Sequence, residues 1–354
     1  MDIKITRTTN PKPLPDESKH LGFGSNFTDH MFVMDHDDDG WHNARIVPYG
    51  PLTLDPAASV FHYGGEIFEG LKAYRGADGK VRLFRPDENG ARMKNSAIRM
   101  GMPHVEPEDF VEAVKALVEV DERWVPHKKG NTLYIRPFLI ATDPNLTLHG
   151  IHQEMFLIIL SPSGSYFADG LTAVKGAFET EDVRAVRGGT GFTKCGGNYG
   201  AANRAIMRSE AAGYPALIWL DGVERKYIEE VGGMNVMFKI NGKIITPSLE
   251  KGTVLPGITR KSMIQVMQDW GVEVIEKRIS VDELLTAAKE GRVEEVWGVG
   301  TAAVISPIAS LTHEGVEYVF NNGEVGEFSK KLYDTLTGLQ WGEIEDPYGW
   351  VVKL

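Results

Sequence analysis

One stretch of the chain gathers the residue types that covalent chemistry needs. It reads Gly188-Gly189-Thr190-Gly191-Phe192-Thr193-Lys194-Cys195-Gly196-Gly197-Asn198-Tyr199-Gly200-Ala201-Ala202-Asn203, a single lysine between two glycine clusters. Glycine admits positive φ and lets a ligand approach the backbone without meeting a Cβ. A lysine so placed can clamp a phosphate, condense with a carbonyl as a Schiff-base nucleophile, or stand as a plain surface cation on a flexible loop. The phosphate-clamp string G-x-x-x-x-G-K-[ST] is absent, because Thr193 precedes Lys194 and Cys195 follows it. The other two readings stay open on these residues alone. Cys195 has no histidine within several residues, which gives a thiol nucleophile little support.

Four further groupings ask for a ligand. Gly257-Ile258-Thr259-Arg260 opens a helix predicted to run from about Ile258 to Trp270 and to close at Gly271. The N–H groups and positive dipole end of such a helix suit a phosphate, although a plain capped helix reads the same way. Gly300-Thr301-Ala302-Ala303, after the predicted strand Glu295–Val299, offers small residues and a hydroxyl to an anion. Ile228-Glu229-Glu230-Val231-Gly232-Gly233 sets two acids side by side, but neighbours on an extended chain point to opposite faces, which weakens a glycosidase-type carboxylate pair. A single buried acid has another use: it keeps a pyridine nitrogen protonated and makes the ring an electron sink. Tyr134 and Arg136 share one face of a strand, and an arginine in apolar company usually binds a planar anion. The segment His62–Gly70 adds Tyr63 and Phe68 in a glycine-loosened setting. Together these residues ask for an aromatic aldehyde bearing a phosphate.

The acidic turn at Asp37–Gly40 points elsewhere. Asp35, Asp37, Asp39 and Gly40 match the opening of an EF-hand loop, but the twelfth position is Ile46, where a bidentate glutamate is required, and the flanks read as strands. No metal site is expected.

The elements that must position these residues follow from periodicity. Residues 1–20 form a polar, proline-bearing lead-in. Strands Phe32–Asp35 and Arg45–Val47 make a hairpin; strand Val81–Phe84 stops at Pro86; helices run over about 88–100 and 108–123; strands Leu133–Ile140 and Met155–Leu160 follow. This half is α+β, with strands on one sheet and helices against it. Turn formers around Ser161–Gly164 and Asp169-Gly170 read as an inter-domain connection. The second half carries a helix after Ala201, strand Ala216–Leu220, a strand after Gly233, a hairpin turn at Asn241-Gly242, strand Lys243–Thr246 and a helix over 281–290. The expected organisation is a small N-terminal domain over 1–164, a linker over 165–181 and a larger domain over 182–354, a division that suits a chain of 354 residues.

Composition bounds the partners. A formal charge of −11 disfavours nucleic acid and anionic membrane surfaces. One cysteine allows no intramolecular disulfide, and no apolar run approaches the roughly 20 residues that span a bilayer. The start, Met1-Asp2-Ile3-Lys4, has neither an apolar signal core nor an Arg/Ser-rich leader, so a cytoplasmic location is expected.

At this point the strings Phe27-Thr28-Asp29-His30-Met31, Leu83-Phe84-Arg85-Pro86, Tyr134-Ile135-Arg136-Pro137, Lys194-Cys195-Gly196-Gly197-Asn198-Tyr199, Glu230-Val231-Gly232-Gly233-Met234-Asn235, Leu255-Pro256-Gly257-Ile258-Thr259-Arg260 and Gly300-Thr301-Ala302 resemble the branched-chain amino-acid aminotransferases. The likeness runs in order from about residue 22 to the C-terminus. It implies a pyridoxal 5'-phosphate enzyme of fold type IV: two domains, the larger with a barrel-like β core, and the cofactor at their interface. It implies that Lys194 forms the Schiff base and shuttles the proton, that Tyr199 bonds the cofactor's phenolic oxygen, and that Glu230 pairs with the pyridinium nitrogen. Arg92, Gly257, Ile258, Thr259 and Thr301 would hold the phosphate. Tyr63, Thr301 and Ala302 would bind the substrate α-carboxylate. Phe23, Phe68 and Tyr134 would wall the side-chain pocket, and Arg136 would meet the distal carboxylate of glutamate or 2-oxoglutarate. It implies a homodimer whose partner subunit supplies the loop Asp143–Gly150, with Leu148 entering the pocket. A Cys-x-x-Cys pair found in mammalian members is absent, since Ala303 and Ser306 occupy those positions, and Gly233 stands where some members carry threonine. The reaction implied is amino transfer between leucine, isoleucine or valine and 2-oxoglutarate. D-amino-acid aminotransferases and aminodeoxychorismate lyases share the fold, and Tyr134-x-Arg136 with Gly300-Thr301-Ala302 favours the branched-chain type.

Overall fold

The structure, a computed structural model, describes residues 1–167 and 170–354. The chain divides into two compact units. The first comprises Met1–Ala168, Thr193–Gly196 and Gly338–Leu354, and the second comprises Asp169–Phe192 and Gly197–Thr337.

The first unit is a sheet with helices against one face. Its strands are β1 (Lys4–Ile5), β2 (His30–Asp37), β3 (Gly40–Pro48), β4 (Glu66–Phe68), β5 (Leu71–Arg75), β6 (Val81–Phe84), β7 (Thr132–Ala141) and β8 (Glu154–Ser163). Its helices are α1 (Val60–Tyr63), α2 (Pro86–Met100) and α3 (Pro107–Val120). The strand order is β1-β3-β2-β8-β7-β5-β6, with β4 also on β7, and Val351–Lys353 closes the edge beyond β6. Alternation sorts the two faces. Ile67, Leu71, Ile135, Leu139, Phe156 and Ile158 point into a core shared with Met93, Ala97, Phe110, Val114, Leu117 and Val118 from α2 and α3. The opposite face of β4, β5 and β7 carries Phe68, Lys72, Tyr134 and Arg136.

The second unit is built on β9 (Val174–Phe178), β10 (Ala216–Leu220), β11 (Ile228–Val231), β12 (Asn235–Ile240), β13 (Lys243–Thr246), β14 (Val274–Glu276), β15 (Val293–Gly300), β16 (Val304–His313) and β17 (Val316–Val319). The order is β11-β10-β9-β16-β15-β12-β13-β14, with β17 also on β16. The chain turns from β11 directly into β12, and Val231 bridges Met234 across that turn. Strands β11, β10, β9, β16, β15 and β12 therefore curl into a barrel-like ring filled by Ile218, Leu220, Val236, Phe238, Val296, Ile308 and Leu311. Helices α4 (Gly196–Ala211), α5 (Ile258–Asp269) and α6 (Val281–Lys289) accompany it, and α7 (Glu327–Trp341) carries the chain back to the first unit.

Several expectations need correction. Pro86 does not lie outside a helix; it opens α2, where its fixed φ and missing N–H cost nothing. The second helix stops at Val120 and continues as a single 3-10 turn, Glu122–Trp124. The stretch expected to link domains holds strand β9, whose pattern is obscured by Lys175 and Gly176, and β8 runs on to Ser163. Part of the expected linker, Ala168 and Asp169, lies outside the described residues. The helix expected after Ala201 begins at Gly196. The boundary at 182–354 also differs from the units found, because Thr193–Gly196 and Gly338–Leu354 group with the first unit through backbone pairing.

Candidate active site

In the first unit, Lys194 is held by its backbone. Its carbonyl accepts the Phe68 N–H at 2.9 Å, its N–H donates to Ser96 Oγ at 3.2 Å, and Cys195 bridges Ile67 and is buried in the core. Two residues of a distant segment thus join the sheet beside β4, which leaves little freedom in where the lysine side chain starts. The side chain lies over the Phe68 ring, with Nζ 4.9 Å from its centroid.

Helix α2 supplies a polar stripe toward the same place. Asn89, Arg92 and Ser96 recur at helical spacing and are all buried. Arg92 grips Glu69 with both arms, Nε to Oε1 at 2.7 Å and Nη2 to Oε2 at 2.8 Å, and Asn89 donates to Oε2 at 2.7 Å. Burial alone would raise the Glu69 pKa, but the Arg92 charge, its hydrogen bonds and the Lys194 charge outweigh it and hold the carboxylate low. Lys194 is pushed below the usual lysine range, first by burial and then by the Arg92 charge, against the opposing pull of Glu69. A neutral amine in reach of a carbonyl is the form that condenses with it.

Arg136 lies between aromatic rings on the same sheet face, 4.7 Å from the Phe68 centroid and 5.4 Å from that of Tyr134. Its Nη2 donates to the Tyr134 hydroxyl at 3.2 Å, and Phe23 packs edge-on against Tyr134 at 4.8 Å. Phe23 and Tyr63 are about half exposed, and Leu148 is 78% exposed. The Tyr63 hydroxyl donates to the Leu146 carbonyl. The sequence reading missed three members of this cluster: Glu69, Glu66 and Lys72. Lys72 pairs in register with Tyr134, and burial pushes its amine down to about 8. Their signal was present, since a charge recurs at every third place, Glu66, Glu69, Lys72 and Arg75, of an otherwise apolar run.

In the second unit the acid is Glu230, buried on β11 opposite Trp219. Its Oε1 accepts the Leu255 N–H at 2.7 Å, and its Oε2 lies 3.4 Å from Arg184 Nε. Arg184 is itself anchored on the carbonyls of Gly191 and Thr253. Glu229, also buried, is raised by that burial despite hydrogen bonding to Thr253. The Leu255 carbonyl accepts from Asn235 at 2.9 Å. A Cβ on Gly257 would come within 2.0 Å of Asn235 Oδ1, so the approach to α5 requires glycine. No side chain caps α5, and Ile258 and Thr259 are buried in its opening turn. Tyr199 lies in the first turn of α4 and is about a third exposed. Thr301 and Ala302 form the turn between β15 and β16, half-buried.

The acids at and before the Asp37–Gly40 turn have local partners: Asp35 takes Arg45 at 2.6 Å and Asn43 at 2.7 Å, and Asp37 takes the Asp39 N–H at 2.9 Å and lies 3.1 Å from His42 Nε2. No helix among the described residues is long and apolar enough to cross a membrane.

Comparison with known proteins agrees with this chemistry. The family model for Amino-transferase class IV matches residues 66–311. Branched-chain-amino-acid aminotransferase 2 of Bacillus subtilis (strain 168) is 50% identical over 353 residues, covering 99% of this chain and 96% of that protein. Among solved structures, the Escherichia coli branched-chain amino acid aminotransferase matches with a TM-score of 0.77 at 26% identity, over 91% of this chain and 98% of that one. A further branched-chain amino acid aminotransferase, from T.th. and complexed with N-(5'-phosphopyridoxyl)-L-glutamate, matches with a TM-score of 0.74 at 25% identity, over 91% and 97%. With a fold type IV architecture and a half-buried lysine of lowered pKa on its first sheet, the chain belongs to the class IV aminotransferases, and within them to the branched-chain amino-acid aminotransferases.

Proposed function

We propose that the chain transfers the amino group between L-leucine, L-isoleucine or L-valine and 2-oxoglutarate, with pyridoxal 5'-phosphate as cofactor, giving branched 2-oxo acids and L-glutamate. The observation that carries this reading is Lys194: a half-buried amine of lowered pKa, fixed by backbone bonds to Phe68 and Ser96. The residues fit the cofactor's chemistry. Lys194 would carry its aldehyde, Glu230 would hold its ring nitrogen and Tyr199 its phenolic oxygen. Its phosphate suits the uncapped opening turn of α5, with Gly257, Ile258 and Thr259, together with Arg92 and Thr301. When bound, the ring supplies a sink for the electrons released at the substrate Cα.

The remaining steps belong to the protein. Lys194 Nζ would take the proton from the substrate Cα and deliver it to the cofactor's C4′ carbon, two bonds away. Tyr63, Thr301 and Ala302 orient the α-carboxylate. Phe23, Phe68 and Tyr134 exclude water from a branched side chain, and Arg136 offers its guanidinium to a distal carboxylate. A pocket that must accept both kinds of side chain separates the three aliphatic substrates only weakly, since one methylene is worth about 1–3 kcal/mol.

The proposal extends to a cytoplasmic homodimer in which Leu148 enters the partner's pocket. Leu146 and Leu148, 63% and 78% exposed on one loop, support that role as an apolar pair that a partner's surface would cover. Single-turnover spectra of the yellow holoenzyme test the whole reading. L-leucine and L-glutamate should each bleach the bound cofactor absorbance, D-alanine should not, and light scattering should give a dimer's mass. A colourless protein that stays inactive with added cofactor would refute it.

A further inference from the structure

Glu66 and Phe68 are two residues apart on β4 and face the same side of the strand. That is the side on which the Phe68 ring meets Arg136 at 4.7 Å and Lys194 at 4.9 Å. A Cβ on Gly196 would fall 1.7 Å from Glu66 Oε1, so the carboxylate lies directly against the backbone that follows the lysine, and it accepts the Gly196 N–H. Burial raises the Glu66 pKa, and the Gly196 N–H and the Arg136 charge oppose that rise. Arg136 nonetheless directs its hydrogen bond to the Tyr134 hydroxyl, and its buried Nε has no hydrogen-bond partner among the described residues. A cation with an unused donor thus stands near an acid that does not occupy that donor.

We propose that Glu66 sets the balance between acidic and apolar substrates by its charge. With a branched side chain bound, Glu66 offsets the Arg136 charge in the absence of a distal carboxylate. When a distal carboxylate arrives, Glu66 opposes it, so the site releases the acidic substrate more readily than a lone arginine would. Glu66 acts through Arg136 and is a positioning residue. The inference rests on Arg136 receiving the distal carboxylate.

The test uses the holoenzyme and two unreactive acids, glutarate and 4-methylpentanoate, titrated by the change in cofactor absorbance. Glu66→Gln keeps the size and the acceptor for Gly196 but removes the charge. The ratio of the 4-methylpentanoate Kd to the glutarate Kd should rise roughly two- to fivefold, the scale of one partly exposed charge–charge interaction. Glu66→Ala should move the ratio the same way, so either neutral variant that folds gives the reading, and Glu66→Asp should keep the wild-type ratio. An unmoved ratio in the neutral variants, or an equal rise in Glu66→Asp, overturns the proposal. If neither acid perturbs the wild-type spectrum, the assignment of Arg136 itself fails, a separate result.

Discussion

The two units handle charge by different means. In the first, recognition is carried by ionisable side chains packed on one another: Lys194 near Arg92, Arg92 on Glu69, Arg136 between rings. In the second it is carried largely by backbone. Glu230 takes the Leu255 N–H, Arg184 is anchored on two carbonyls, and α5 presents an opening turn that no side chain caps. Side-chain charges shift one another's proton affinity, which a lysine needs if it is to be nucleophile and base in turn. Backbone dipoles are fixed by the fold, cannot titrate, and cost no reorganisation when an anion arrives.

Changes in the first unit should therefore alter chemistry, and changes in the second should alter binding. The largest effect is expected for Lys194→Ala: turnover with L-leucine falls on the order of 10⁴-fold, the upper range for losing a proton-transfer group. Cofactor should still raise the melting temperature of that variant, and retained multiple turnover would break the comparison. Next comes Glu69→Ala, which leaves Arg92 buried without its carboxylate and should cost about 3–5 kcal/mol by chemical denaturation of the apoprotein. Added cofactor phosphate should restore part of that loss, since Arg92 gains a new anion. Gly257→Ala follows, at about 1–3 kcal/mol, because its Cβ must displace Asn235. Its cofactor Kd should weaken while the single-turnover rate of the saturated enzyme holds.

The last effect concerns pH. Glu154 is buried in the first unit, its carboxyl oxygens have no hydrogen-bond partner among the described residues, and burial with the nearby Asp143 charge pushes its pKa up to about 9. A carboxyl whose folded pKa is raised stabilises the fold fully below its unfolded value, near 4.3, and loses that contribution as pH rises toward 9. Wild-type stability should decline from pH 5 to pH 9, by about 1.4 kcal/mol per pH unit at most. Glu154→Gln should flatten that decline in urea titrations across the range. An unchanged slope would show that Glu154 does not bind the proton.

The strands with clean apolar runs were legible from composition alone: Val81–Phe84, Ala216–Leu220 and Lys243–Thr246 match residue for residue. Helix α5 was legible to within a residue, because Gly257 and Gly271 punctuate it. β9 was hidden by Gly176, which sits so close to Ala216 that any side chain would collide, a tertiary fact with no local mark. The lysine, the buried acid and the paired Tyr134 and Arg136 were visible as types and spacings. The attachment of Lys194 to the first sheet was not, since it depends on one bridge between residues far apart in the chain. Glu69 escaped notice because its segment was read for Tyr63 and the Phe68 wall, and only the fold brings Arg92 to it.

The pairing of Val351–Lys353 with β6 bears on how the molecule is made. The first unit's outer strand cannot find its neighbour until the ribosome has synthesised the whole of the second unit. During translation β6 waits as an open edge, inviting pairing with another nascent chain. Trimming a few residues past Trp350 should therefore reduce the yield of soluble product more than it perturbs the finished enzyme.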